Sequence, residues 1–188
     1  MNQNNGDFYP LWGTCQGFQL MCILAAQNET VDFRYHFDSE NLTLGLHFTS
    51  DASKSRMFSS LPKSVFHYLE DLPITANWVR LKWMSEIAAT LRKKKKKTAK
   101  IKHHDGIPPS AFESSPQLAK IFRILSTNED RANVTFVSAI EGNFYPFYGV
   151  QFHPERNQFE WNADEYFIHS PQAIVKFILL LFFFLSKV

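Results

Sequence analysis

The stretch DFYPLWGTCQGFQLMCILAAQ, residues 7–27, constrains this chain more than any other. A short β-prone run reaches Gly13, where we expect a turn, and gives way to apolar residues at 18, 20, 21, 23, 24, 25 and 26. That density predicts a helix over residues 16–27, buried on most of its circumference. A strand, a sharp turn carrying a cysteine and a helix together make a nucleophile elbow. The turn pushes the Cys15 side chain out at the carboxyl end of the strand, beside the helix N-terminus. Gly13 and Gly17 flank it and allow a tight turn and a close approach of substrate to backbone. A cysteine before an apolar helix is more often a small core residue, so the elbow needs partners to carry chemistry.

Those partners are sought at strand ends. Leu42, Leu44, Leu46 and Phe48 alternate as in a strand, and residues 57–69 carry apolar side chains at loose helical spacing. Residues 121–128 read as a helix end and 134–140 as a strand. FYGVQF, residues 147–152, reads as a strand that stops at His153-Pro154-Glu155. Ser170 and Pro171 read as the cap and first turn of a last helix over residues 171–185. Strands alternating with helices predict an α/β sheet with its site at the strand ends. His153 and Glu155 would project to the same side of an extended chain, so the carboxylate can hold the imidazole. A histidine and a helix N-terminus together convert a thiol into the thiolate that attacks an acyl carbon.

The 188 residues are 45% hydrophobic, enough for one domain with a core. The formal net charge of +2 hides an uneven distribution: residues 79–102 carry +9 and the rest of the chain −7. The run Lys93 to Lys97 has no interleaved aromatics, which favours a solvated loop over a nucleic-acid surface. Cys15 and Cys22, seven positions apart on one helix, are too distant to pair. Cysteines and histidines show no metal-ligand spacing, and no cofactor is called for. Residues 174–185 are apolar but too short to span a bilayer, and they contain Lys176. Met1 is followed by neither a basic start nor an apolar run.

GTCQGFQL followed by YPFYGVQFHPERNQFEW resembles the gamma-glutamyl hydrolase family, the folate polyglutamate hydrolases of the class I glutamine amidotransferase-like superfamily. GDFYPLWGT, SRMFSSLP, LPITANW, FRILSTNED and SAIEGNFYP extend the resemblance over most of the chain outside residues 79–102. It implies a flavodoxin-like three-layer α/β sandwich lacking its N-terminal strands and helices, in one partial domain over residues 1–188. It also implies a lysosomal, vacuolar or secreted cysteine hydrolase that trims gamma-linked glutamates from folyl or antifolate polyglutamates, a small-molecule substrate. Cys15 looks like the nucleophile, His153 like the general base and then acid, and Glu155 like the residue that orients His153. The backbone N–H of Gln16 would be one oxyanion donor.

The family's A-N-aromatic motif is followed closely by a histidine that lines the glutamate site. Here Ala76-Asn77-Trp78 precede the lysine-rich segment, and His103 and His104 follow it. We therefore expect residues 79–102 to be an insertion and assign His103 and His104, with Arg156, to substrate binding; Arg56 is a further cationic candidate. The sequons at Asn28, Asn41 and Asn133 agree with a secretory-pathway glycoprotein, and a homodimer is a family expectation. In the family, strands, helices and a loop giving the second oxyanion donor precede the elbow. With the elbow at position 15, the sequence predicts a poorly folded or inactive chain. A glutamine amidotransferase with the same three residues, a catalytically dead remnant and a nucleic-acid binder stay open beside the hydrolase.

Overall fold

The computed structural model describes residues 9–27, 35–77, 105–161 and 167–186. The lysine-rich segment 79–102, His103, His104 and Asn28 lie outside the described residues. The first described element is strand β1 (Leu11–Thr14), which runs straight into helix α1 (Gln16–Ala26). Short strands β2 (Tyr35–His36), β3 (Leu42–Leu44) and β4 (His47–Phe48) precede helix α2 (Lys63–Asp71) and strand β5 (Thr75–Asn77). After β6 (Asp105–Gly106) come two short helices, α3 (Ser110–Ser114) and α4 (Pro116–Ile121). Three strands follow, β7 (Phe122–Glu129), β8 (Thr135–Gly142) and β9 (Phe147–Val150). The described elements end with α5 (Arg156–Phe159) and α6 (Pro171–Leu185).

The central sheet has the order β1-β9-β8-β7-β4, with small two-stranded sheets β2-β6 and β3-β5 beside it. Among the described residues, β1 and β9 run parallel in the central sheet and its other pairs are antiparallel. The alternation of strands and helices expected from the sequence is thus broken in its second half. The connections between β7, β8 and β9 are too short for a crossover helix, so these strands must turn back on themselves. Residues 121–128, expected as a helix end, are almost all strand: α4 stops at Ile121 and β7 begins at Phe122. A short apolar run does not distinguish the two by periodicity.

Both faces of the sheet are covered. On one, Phe18, Met21, Cys22 and Ala25 of α1 pack with Leu118 of α4 and with Phe122, Val137 and Ile140. On the other, Leu69 of α2 and Leu180 and Phe183 of α6 pack with Leu125, Ala139, Tyr148 and Val150. This is the expected three-layer α/β arrangement. Helix α6 keeps the predicted bounds and cap: the Ser170 side chain accepts the Ala173 N–H and Pro171 opens the first turn. Among the described residues no helix is long and apolar enough to cross a membrane.

Candidate active site

The elbow at Cys15 is one residue long. Its N–H still donates to the Val150 carbonyl at 2.8 Å, as a continuation of the β1/β9 ladder, while its own carbonyl accepts the Gln19 N–H at 3.0 Å and starts α1. Doing both forces φ to 52° and ψ to −105°, a conformation that costs a non-glycine residue about 1–3 kcal/mol. The turn therefore falls on Cys15 and not on Gly13, which remains in β1. Gly13 is needed for packing: a Cβ there would lie 2.6 Å from Met21 Sδ and 2.7 Å from the backbone at Gly17 and Phe18. At Gly17 a Cβ would meet nothing within 4 Å, so the space before the helix N-terminus is open. The first N–H groups of α1, Gln16 among them, have no acceptor within the helix.

Because β1 and β9 are parallel, with Thr14 opposite Val150, the residues after both strands leave the sheet at the same end. Gln151 follows immediately, and its Nε2 donates to Cys15 Sγ at 3.5 Å. Its Oε1 accepts from Gln19 Nε2 at 3.0 Å, so two buried glutamines form a chain ending on the sulfur. Gln151 has no role in the sequence reading; a glutamine in FYGVQF carries no signal until the parallel pairing places it beside the elbow.

His153 donates its backbone N–H to the Ala76 carbonyl of β5 at 2.9 Å. Its Nδ1 lies 2.8 Å from Glu155 Oε1, and the ring also hydrogen-bonds the Cys15 side chain. Cys15, His153 and Glu155 are thus brought together, though not through extended backbone. β9 ends at Val150, and Glu155 sits at the cap of α5 with helical φ and ψ, so the pair meets across a turn. Burial works against a charged imidazole, but the hydrogen bonds and negative charge of Cys15 and Glu155 outweigh it, raising His153 from 6.5 to about 9. Glu155 is held below the usual carboxylate range: burial pushes it up, and the His153 hydrogen bond and charge, then Arg156, pull it down further. The arrangement sets the Cys15 thiol beside an imidazolium, with a carboxylate behind it.

Cys22 is a different kind of thiol. It is wholly buried in the core under α1, burial pushes its thiol far up, and neither cysteine is disulfide-bonded. Arg156 lies next to Glu155, with its guanidinium 5.6 Å from the centre of the Phe167 ring. Arg56 is not at the elbow. It pairs with the fully buried Glu141, which also binds Arg123 at 2.6 Å and the Met57 N–H at 2.9 Å. The cation expected near the elbow at Arg56 is spent on holding a buried carboxylate between β7 and β8. Asn133 is exposed and Asn41 half-buried, both at positive φ. A pocket of about 330 Å³ opens between β1 and α6, lined by Trp12, Thr14, Pro154, Glu155, Phe177, Leu180, Leu181 and Phe184. Its one charged group is a carboxylate, so it is not a place for an anionic tail. Among the described residues no cluster of side chains could hold a metal ion.

Sequence comparison gives this geometry a family. Gamma-glutamyl hydrolase B of Dictyostelium discoideum is 31% identical over 183 residues, which are 97% of this chain and 45% of that protein. The gamma-glutamyl hydrolase of Rattus norvegicus is 32% identical over 184 residues, 98% of this chain and 49% of that protein. Gamma-glutamyl hydrolase 1 of Arabidopsis thaliana is 31% identical over 170 residues, 90% of this chain and 41% of that protein. The chain spans about half the length of the curated relatives it matches. The family model described as Glutamine amidotransferase class-I matches residues 5–167, most of the chain, and the chain belongs to that family.

Proposed function

We propose that this chain carries the reacting groups of a cysteine hydrolase that cleaves gamma-glutamyl bonds, with folyl poly-gamma-glutamates as the substrate class. The observation that carries the reading is the Cys15–His153–Glu155 constellation, with His153 hydrogen-bonded to both the elbow thiol and a carboxylate 2.8 Å away. The Cys15 thiolate attacks the gamma-carbonyl carbon, and the oxyanion that forms is met by the Gln16 N–H at the start of α1. His153, as imidazolium, gives its proton to the departing amine, leaving a thioester on Cys15. It then takes a proton from water, the resulting hydroxide equivalent attacks the thioester, and a carboxylate leaves as the thiolate is regenerated. Glu155 holds the ring in register and favours its charged form. Arg156, the cation nearest the pair in sequence, is the candidate for a substrate carboxylate. The relatives' names and the motif resemblance support gamma-glutamyl bonds as the target.

The matching family description favours one second reading, release of ammonia from glutamine by the same three residues. Glutamate release from a gamma-linked diglutamyl folate and ammonia release from glutamine, each with wild type beside Cys15→Ala, separate the two. Glutamate release that is abolished in Cys15→Ala supports the hydrolase. Ammonia release alone replaces it with the amidotransferase. Neither activity in the folded chain refutes both, leaving the dead remnant.

A further inference from the structure

Helix α6 carries one charged residue in its apolar run, and it is buried. Lys176 is 1% exposed, in a helix face otherwise made of Ala173, Leu180 and Phe183. Its Nζ donates to the Ile74 carbonyl at 2.6 Å and to Asn157 Oδ1 at 2.9 Å, and it lies 5.6 Å from the centre of the Phe152 ring. Asn157 Nδ2 donates to the Ile168 carbonyl at 2.9 Å, which turns its oxygen toward the lysine. Ile74, Phe152 and Asn157 are themselves buried, so the cluster is closed to bulk solvent.

These contacts bracket the His153–Glu155 pair. Phe152 immediately precedes His153, and Asn157 follows Glu155 by two residues in the turn that carries it. Ile74 lies two residues before Ala76, whose carbonyl receives the His153 N–H. A single amine therefore ties together the strand that anchors His153, the start of α5 that presents Glu155, and α6. A leucine or methionine would fill the same volume and avoid a desolvation cost that drives Lys176 down from 10.5 to about 7, against the raising pull of Glu155.

We propose that Lys176 is a positioning residue for the reacting constellation: bound to Ile74 and Asn157, it fixes the turn 152–157 against β5 so that His153 stays on Cys15. The inference rests on reading Cys15, His153 and Glu155 as the reacting groups, and its test does not require turnover. In the folded full chain, the readouts are the rate of Cys15 alkylation by iodoacetamide at pH 7 and the downfield proton resonance of the His153 Nδ1–H bonded to Glu155. Lys176→Met keeps the length of the side chain but loses both donations, and Asn157→Leu removes one acceptor. Each is expected to slow alkylation about 10- to 100-fold per folded molecule and to shift or broaden the imidazole signal. Asn157→Asp keeps an oxygen acceptor for Lys176 while losing the Nδ2 donation to Ile168, and is expected to react clearly faster than Asn157→Leu.

A purely structural lysine would lower the melting temperature yet leave both readouts, per folded molecule, at wild-type values; that result overturns the proposal. So does an Asn157→Asp chain as slow as Asn157→Leu. If Lys176→Met does not fold, the Asn157 pair decides. Absence of glutamate release from the wild-type chain would count against the hydrolase alone, because alkylation and the imidazole signal are read without substrate.

Discussion

The sharpest consequence of the site geometry is the charge state of His153. An isolated histidine titrates near 6.5, and burial alone would lower that. In the fold it is instead raised to about 9. At ~1.4 kcal/mol per pH unit, the interval corresponds to about 3 kcal/mol by which the fold prefers the imidazolium. The ring is 17% exposed, so solvent screens little of it. Replacing Cys15 by Ala removes the sulfur's hydrogen bond and its charge and leaves Glu155. The midpoint is expected to fall by at least about one pH unit. Adding Glu155→Gln removes the second partner, and with burial unopposed the midpoint is expected below 6.5. The assay is a proton–carbon NMR titration of the histidine Cε1–H signals, with His153→Gln to assign the resonance among the seven histidines. Stability is linked to the same equilibrium. The folded value lies above the unfolded one, so the stabilisation is complete below pH 6.5 and lost as pH rises through 9. The melting temperature advantage of wild type over His153→Gln should shrink by up to about 6–12 °C between pH 6 and pH 10. A wild-type midpoint within half a pH unit of 6.5, or one near 9 that neither substitution moves, would refute the reasoning.

Three further outcomes follow from individual contacts. Gln151→Leu removes the donor to Cys15 Sγ and the buried acceptor of Gln19 Nε2, so it should cost about 1–3 kcal/mol in urea unfolding and slow Cys15 alkylation. Gly13→Ala places a Cβ against the backbone of α1 at 2.7 Å, where no side-chain rotation relieves it, and should destabilise by about 1–3 kcal/mol while also lowering Cys15 reactivity. Cys22→Ala should leave the labelling of the folded chain at one iodoacetamide per molecule, since Cys22 is fully buried with its thiol pushed up, whereas Cys15→Ala should abolish labelling.

How much of this was legible in the residues depended on how local the cause was. The elbow and the last helix could be read because strand, turn, helix and cap are decided within a few positions: GTCQG before an apolar run, Ser-Pro before another. Even there the reason differed from the reading. Glycine at 13 serves the close packing of α1, and the left-handed φ falls on the cysteine itself, a strain that composition does not advertise. His153 and Glu155 were legible as a pair, although they meet across a turn and not along a strand. β7 was misread at its start because Ile121 ends one helix and Phe122 begins a strand with no breaker between them. Arg56 was misassigned because its partner Glu141 lies 85 positions away in the chain. Gln151 and Lys176 gave no signal for the same reason: their partners Cys15 and Ile74 are 136 and 102 positions distant. In a sequence, a glutamine at a strand end and a lysine in an apolar run look like solvent-facing residues.

The parallel pairing of β1 and β9 explains why such distant residues converge at one point. If β9 ran antiparallel to β1, as it does to β8, the chain beyond Val150 would leave at the opposite end of the sheet from Cys15. The two strands are about 14 Å long, so His153 could not then reach the sulfur. Parallel alignment with Thr14 opposite Val150 makes Cys15 and Gln151 equivalent exits from the sheet, and two more residues bring His153 over the thiol. What the sheet does not fix is how far the exiting turn swings, because among the described residues the backbone from Gln151 to His153 is tied outward through Gln151 to Ser138 and His153 to Ala76. A turn so lightly tied needs a second anchorage, and in this fold the buried amine of α6 provides it from the side remote from the ladder, through Ile74 and Asn157. The sheet brings the thiol and imidazole to the same end of the fold, and the packing of α6 against the turn sets the last ångström between them.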